Sequence, residues 1–182
     1  MLGSLFPDAE HVFVKDDLAS FPARVPSVRE LHLSGKRVVV LSLPGGCTWT
    51  KNALATQLAG YRSADADGSL SAAAVDAVLV ICVNDGYVLD AWKRASGLAG
   101  ARAFTFVADP FGTLTAALGL SLEEPDPELG PNRGKRAALF VADGVVRLRE
   151  VSEAEGDPTG DEDHANSDAP QMLESIRTLG TT

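Results

Sequence analysis

Two cysteines, Cys47 and Cys82, are the only thiols in the chain, and they stand in different surroundings. Cys47 follows Pro44-Gly45-Gly46 and precedes Thr48-Trp49-Thr50-Lys51. Thr48 or Thr50 can cap a helix there, because Ala53, Leu54, Gln57, Leu58 and Tyr61 recur at helical spacing. A thiol just outside a helix start feels the positive end of the helix dipole, which favours thiolate. Cys82 lies in the apolar run Ala77–Val83 and reads as a small buried hydrophobe. A Cys47–Cys82 disulfide stays open as a geometric possibility, because neighbouring strand ends can approach. The histidines, His11, His32 and His164, are scattered without the spacing of a metal site, and no metal or other cofactor is expected. No G-x-S-x-G elbow, G-x-G-x-x-G turn or phosphate-binding P-loop sequence occurs.

Composition narrows the partners. Asp and Glu total 25 against 16 Lys and Arg, a net charge of −9, which argues against nucleic acid or an anionic membrane as partner. No apolar run approaches the roughly 20 residues of a membrane-spanning helix. Eight of the carboxylates fall between Glu150 and Asp168, a stretch without Lys or Arg. Residues 150–168 are therefore expected to form a solvated, mobile acidic loop, with docking of a basic protein as its candidate function. The low cysteine count fits a reducing compartment, and the start of the chain lacks the basic and apolar regions of a secretory signal. The expectation is an intracellular location, in the cytoplasm or in an organelle such as a mitochondrion or plastid.

The elements that must position these residues alternate along the chain. Residues 10–14 read as a short strand. Arg37–Leu43 is β-branched and apolar on both faces, bounded by Gly35 and Pro44, and reads as a buried central strand. The helix from Thr48 to Tyr61 comes next, then a loop over Ser63–Ser69. A second buried strand, Ala77–Val83, is followed by a helix capped by Asn84 or Asp85. A third strand, Phe104–Ala108, stops at Asp109-Pro110, and a short helix covers Thr113–Leu118. Two apolar runs flank Ala142-Asp143-Gly144 as a hairpin with a three-residue turn. A final helix carries Pro170 in its first turn. This order predicts an α/β fold over residues 1–180, one domain with a mixed central sheet flanked by helices.

Four segments carry a resemblance. Gly35-Lys36 and the strand leading to Pro44-Gly45-Gly46-Cys47-Thr48-Trp49-Thr50-Lys51 look like G-K-x-V-V-L…P-G-A-F-T-P-T-C. Cys82-Val83-Asn84-Asp85-Gly86-Tyr87-Val88-Leu89-Asp90-Ala91-Trp92 is similar to S-V-N-D-x-F-V-x-x-x-W. Ala108-Asp109-Pro110-Phe111-Gly112 looks like A-D-P-x-G, and Arg136 through Val146 looks like R-[FY]-x-x-x-V-x-D-G-x-V. Together they resemble the type II, single-domain peroxiredoxins over nearly the whole chain. The resemblance implies a thioredoxin-like fold of the peroxiredoxin type, a homodimer built beside the active site or a place in a larger assembly, and hydroperoxide reduction by a cysteine.

The resemblance departs at the reacting atom. The family places its peroxidatic Cys seven residues after the Pro of P-G, and that position is Lys51. Counting back instead from Leu58-Ala59-Gly60-Tyr61, similar to the family's L-P-G-F, gives Ala53. Thr48 and Arg136 match the family's active-site Thr and Arg. The first expectation is thus a pseudoenzyme, without the peroxidatic Cys, acting as a binding or structural subunit. An alternative is a thiol peroxidase or redox sensor that uses Cys47 with Thr48 and Arg136. A third is a small-anion pocket made by Thr48, Thr50, Lys51, Arg136 and helix N–H groups. Tyr87 and Trp92, at bulky positions of the motif, are expected to pack.

Overall fold

A computed structural model describes residues 1–15, 20–46 and 53–180. The helix start expected at Thr48, together with Cys47, Thr50 and Lys51, lies outside the described residues. Seven strands, β1 (Phe13–Val14), β2 (Ala23–Arg24), β3 (Arg37–Leu43), β4 (Ala77–Cys82), β5 (Phe104–Ala108), β6 (Ala137–Ala142) and β7 (Val145–Val151), form one sheet in the order β2-β1-β5-β4-β3-β6-β7. β3, β4 and β5 are parallel, while β6 and β7 at one edge and β1 and β2 at the other run antiparallel. The parallel strands lie at the centre because both their faces are covered, which explains their unbroken apolar sequences. One face packs Val39, Leu41, Val80, Phe106 and Phe140 against helices that include Leu58, Trp92 and Ile176. The other packs Val38, Val40, Leu79, Ile81 and Val107 against Phe6, Leu33 and Leu114. The mixed sheet flanked by helices is the thioredoxin-like arrangement expected from the element order.

The helices are α1 (Ala53–Ala66), α2 (Ser69–Ala72), α3 (Gly86–Ala95), α4 (Thr113–Ala117) and α5 (Ala169–Leu179), with a short helical turn over Arg29–Leu33 before β3. Four expectations are corrected. The Ser63–Ser69 loop is mostly helix: α1 continues to Ala66, because Ser63-Ala64-Asp65-Ala66 contains no breaker before Gly68. The strand at 10–14 shrinks to Phe13–Val14, since His11 has φ +61° and interrupts extended backbone. The hairpin turn has two residues, not three. Ala142 completes β6, and Asp143 (φ +49°) and Gly144 (φ +73°) both take the left-handed backbone that a tight two-residue hairpin requires.

The acidic segment departs most. Glu150 belongs to β7, and Ser152, Gly160 and Ser167 are buried. The Asp157 carboxylate accepts the backbone N–H groups of Asp161 (2.9 Å), Glu162 (3.0 Å) and Asp163 (3.4 Å). Acidic side chains fold this segment because, at turns, they accept from nearby backbone N–H groups.

Candidate functional site

The ends of β3 and β4 lie side by side, with Leu43 opposite Cys82. Beyond Cys82 the chain turns through Val83-Asn84 into α3. Asp85 caps that helix, accepting from the N–H groups of Tyr87 (2.9 Å) and Val88 (3.0 Å). Asn84 instead turns toward β3, where its Oδ1 accepts the Gly46 N–H at 2.8 Å and holds the strand exit that leads to Cys47. The Cys82 thiol is buried, donating toward the Leu43 carbonyl at 3.2 Å, with Asn84 Oδ1 at 3.3 Å. A thiol so enclosed is a core residue. Trp92 is buried with its ring edge-on to Phe106 at 5.3 Å, as expected, but Tyr87 is exposed, and the Lys15 ammonium stands 6.0 Å from its ring centroid.

Arg136, at the entrance to β6, is fully buried (0% exposed). Its Nε donates to the Gly160 carbonyl at 2.9 Å, its Nη1 to Gln57 Oε1 at 3.2 Å and its Nη2 to Asp161 Oδ1 at 2.5 Å. Three parts of the fold thus meet at one guanidinium. The residue just before β6 supplies it, α1 supplies an amide oxygen, and the segment after β7 supplies a carbonyl and the counter-charge. Such charge-assisted bonds are what permit an arginine to be withdrawn from water. Gln57 is held in turn, its Nε2 donating to Ser167 Oγ at 2.8 Å and to the Ser167 carbonyl at 3.2 Å. Tyr61, one turn further along α1, donates its hydroxyl to the same carbonyl at 2.9 Å. Burial, with the nearby Asp168 carboxylate adding to it, pushes the Tyr61 phenol well above its ordinary range. Burial also pushes the Asp157 carboxyl up, but the three amides and the Thr159 hydroxyl outweigh it and hold the group below the usual carboxylate value.

Of the residues singled out from sequence, Arg136 is in place, while Cys47, Thr48, Thr50 and Lys51 lie outside the described residues. Asn84, Gln57, Gly160 and Asp161 were not anticipated as partners. The available signal for Gln57 was a polar residue on the apolar face of a helix. For Asp161 no local pattern pointed across the 25 residues to Arg136.

The strand order, the crossing helices and an arginine buried at the β6 entrance define a thioredoxin-like fold of the peroxiredoxin type. A family model described as Redoxin matches residues 2–168, and the chain belongs to that family. The chain is 31% identical over 176 residues to Peroxiredoxin-2E-2, chloroplastic, of Oryza sativa subsp. japonica, covering 96% of this chain and 72% of the rice protein. It is 32% identical over 123 residues to Peroxiredoxin-2F, mitochondrial, of Arabidopsis thaliana, covering 68% of this chain and 58% of that protein. Among solved structures, reduced Prx3 of Vibrio vulnificus in complex with hydrogen peroxide superposes with a TM-score of 0.77 at 28% identity, covering 97% of this chain and 98% of that one. Among the described residues no helix is long and apolar enough to cross a membrane.

Proposed function

We propose that this redoxin-family chain is a pseudoenzyme that acts as a binding or structural subunit. The observation that carries the reading is the commitment of Arg136. In the family resemblance this arginine faces the reacting cysteine and peroxide, whereas here its guanidinium is ion-paired to Asp161 and bonded to Gly160 and Gln57. Lys51 at the family's cysteine position agrees with it, since an ammonium does not reduce peroxide. The same commitment weighs against the anion pocket of Thr48, Thr50, Lys51 and Arg136, because Arg136 already holds an anion.

The homodimer remains part of the proposal. Phe21, Tyr87 and Phe111 are exposed large side chains on segments gathered at the C-terminal ends of β4 and β5. A basic protein partner at the acidic segment is the second proposed contact. An intracellular reducing compartment is retained, in line with the plastid and mitochondrial names of the relatives.

One observation favours a second reading. Gly46 is fixed by Asn84, so the residue before Cys47 has a defined place at the sheet end. Cys47 would then serve as a relocated nucleophile, with Thr48 and, once released from Asp161, Arg136 orienting the peroxide.

The deciding experiment treats the chain briefly with near-stoichiometric hydrogen peroxide and a sulfenate trap, followed by intact mass. The pseudoenzyme reading expects an adduct no faster than that of an ordinary exposed thiol. A fast adduct that vanishes in Cys47→Ser and persists in Cys82→Ser would replace it with the peroxidase reading.

A further inference from the structure

The segment between β7 and α5 does more than cover the arginine. Its residues 157–163 wind around the Asp157 carboxylate, which takes three successive amides from the segment. Gly160 has φ +71° and lies so close to Ser152 that a Cβ there would overlap the Ser152 carbonyl oxygen. That contact fixes the turn against the end of β7 and delivers two neighbouring groups to Arg136, the Gly160 carbonyl and the Asp161 carboxylate. The ligands of the guanidinium are unequal. Gln57 and the Gly160 carbonyl are neutral, while Asp161 carries the charge. Arg136 is 0% exposed as a side chain, whereas Asp161 is 30% exposed. Water therefore reaches this ion pair from the carboxylate side only.

We propose that the Arg136 guanidinium, held from behind by Gln57 Oε1 and the Gly160 carbonyl, is an oxyanion socket whose resident ligand is the Asp161 carboxylate, and that a small free carboxylate takes its place when that side chain is absent. The guanidinium fork matches a carboxylate in shape as well as charge. A tethered carboxylate also acts at an effective concentration that free anions do not reach in ordinary solution, so the socket is occupied from within in the intact chain. The chemical class is a planar monoanion of formate size, because removing the Asp161 carboxylate vacates the volume of one such group. Acetate carries an extra methyl, and tetrahedral phosphate is larger still. The inference is independent of whether Cys47 reduces peroxide, and its test reads neither cysteine.

The experiment uses the full chain carrying Asp161→Ala, with formate as probe at fixed ionic strength in chloride. The readouts are the side-chain Nε–H resonance of Arg136 and the melting midpoint. The expected result is a saturable formate-dependent shift of that resonance with a parallel rise in midpoint, weaker for acetate, absent for phosphate and absent in the wild type. If Asp161→Ala folds only when formate is present, that supports the socket directly. Asp161→Ser, which keeps a hydroxyl acceptor, is the second variant. The proposal is overturned if neither variant responds to formate, or if the wild type responds equally.

Discussion

The Oδ1 atom of Asn84 accepts the backbone N–H of Gly46 at 2.8 Å, joining the exit of β4 to the exit of β3. The bond spans 38 residues of sequence and holds the loop that begins at Pro44 against the start of α3. A side chain at Gly46 would fit only tightly: a Cβ would lie 3.1 Å from Leu89 Cδ2 and 3.4 Å from both Asn84 Oδ1 and Trp92 Cε3. Asn84→Leu leaves the Gly46 N–H without its acceptor and is expected to lower stability by about 1–3 kcal/mol. Asp85→Ala removes only the cap of α3 and is expected to cost about 1 kcal/mol. Urea titrations of the two variants separate the loop anchor from the cap. Equal losses would contradict a special role for Asn84.

Asp157 predicts an acid-sensitive limb. Its carboxyl is held below the ordinary value in the folded chain, so the unfolded chain takes up its proton first as the pH falls. The stabilisation is complete above the unfolded value of about 4 and is lost as the pH falls through the folded one. Asp157→Asn should therefore be less stable than wild type at neutral pH and lose less stability than wild type on acidification. Melting midpoints from pH 7 to pH 3 test this, and parallel curves would refute it.

Tyr61 predicts the opposite limb. Its phenol is raised in the folded state, so the unfolded chain ionises first once the pH passes about 10. Stability is full below that pH and falls above it. The chain has two tyrosines, so Tyr87→Phe leaves Tyr61 as the sole phenol signal. Its phenolate absorbance should rise together with loss of the circular dichroism of the fold, not before it.

The carboxylate of Asp90 on α3 is buried, accepting from Arg94 Nε at 3.2 Å and Nη2 at 3.0 Å, with Lys15 Nζ at 3.6 Å. Burial pushes its carboxyl up, but Arg94 and then Lys15 prevail and hold it below the usual range. Asp90→Ala removes the carboxylate that faces both cations and should destabilise by about 3–5 kcal/mol. A loss under about 1 kcal/mol in a chemical denaturation curve would show that the cluster is not a structural anchor.

Phe111 is 64% exposed on the turn after β5, with the His11 ring 5.2 Å away. If this end of the sheet meets a second copy, Phe111→Lys should shift the sedimentation coefficient from that of a dimer toward a monomer without changing the melting curve of the isolated chain. An unchanged coefficient at micromolar concentration would place any self-association elsewhere.

The central sheet was legible because β3 and β4 are β-branched on both faces, β5 sets Phe104 and Phe106 on one face against Thr105 and Val107 on the other, and the three end at Pro, Asn-Asp or Asp-Pro, so local chemistry alone marks their limits. The cap at Asp85 was legible for the same reason. The partners of Arg136 were not. Gln57 and Asp161 come from α1 and from the segment after β7, and only the closed sheet brings them within bonding distance. The Ser63–Ser69 region misled because small residues are common to loops and helices, and only docking on the rest of the fold decides between them. The acidic run misled through its net charge, which suggests solvation but is silent about Asp157 accepting the amides around it.

The engagement of these carboxylates alters what an approaching cationic protein would encounter. Of the eight between Glu150 and Asp168, Glu153 is paired with Lys135, Asp157 with its own amides, Asp161 with Arg136 and Asp168 with His164. Glu155, Glu162 and Asp163 are exposed, and Glu150 is half-buried in β7. Lys135 and Arg136 already balance Glu153 and Asp161, so association there would release condensed small cations from fewer sites than a count of acidic letters suggests. The ionic-strength exponent of any such complex would be correspondingly shallow.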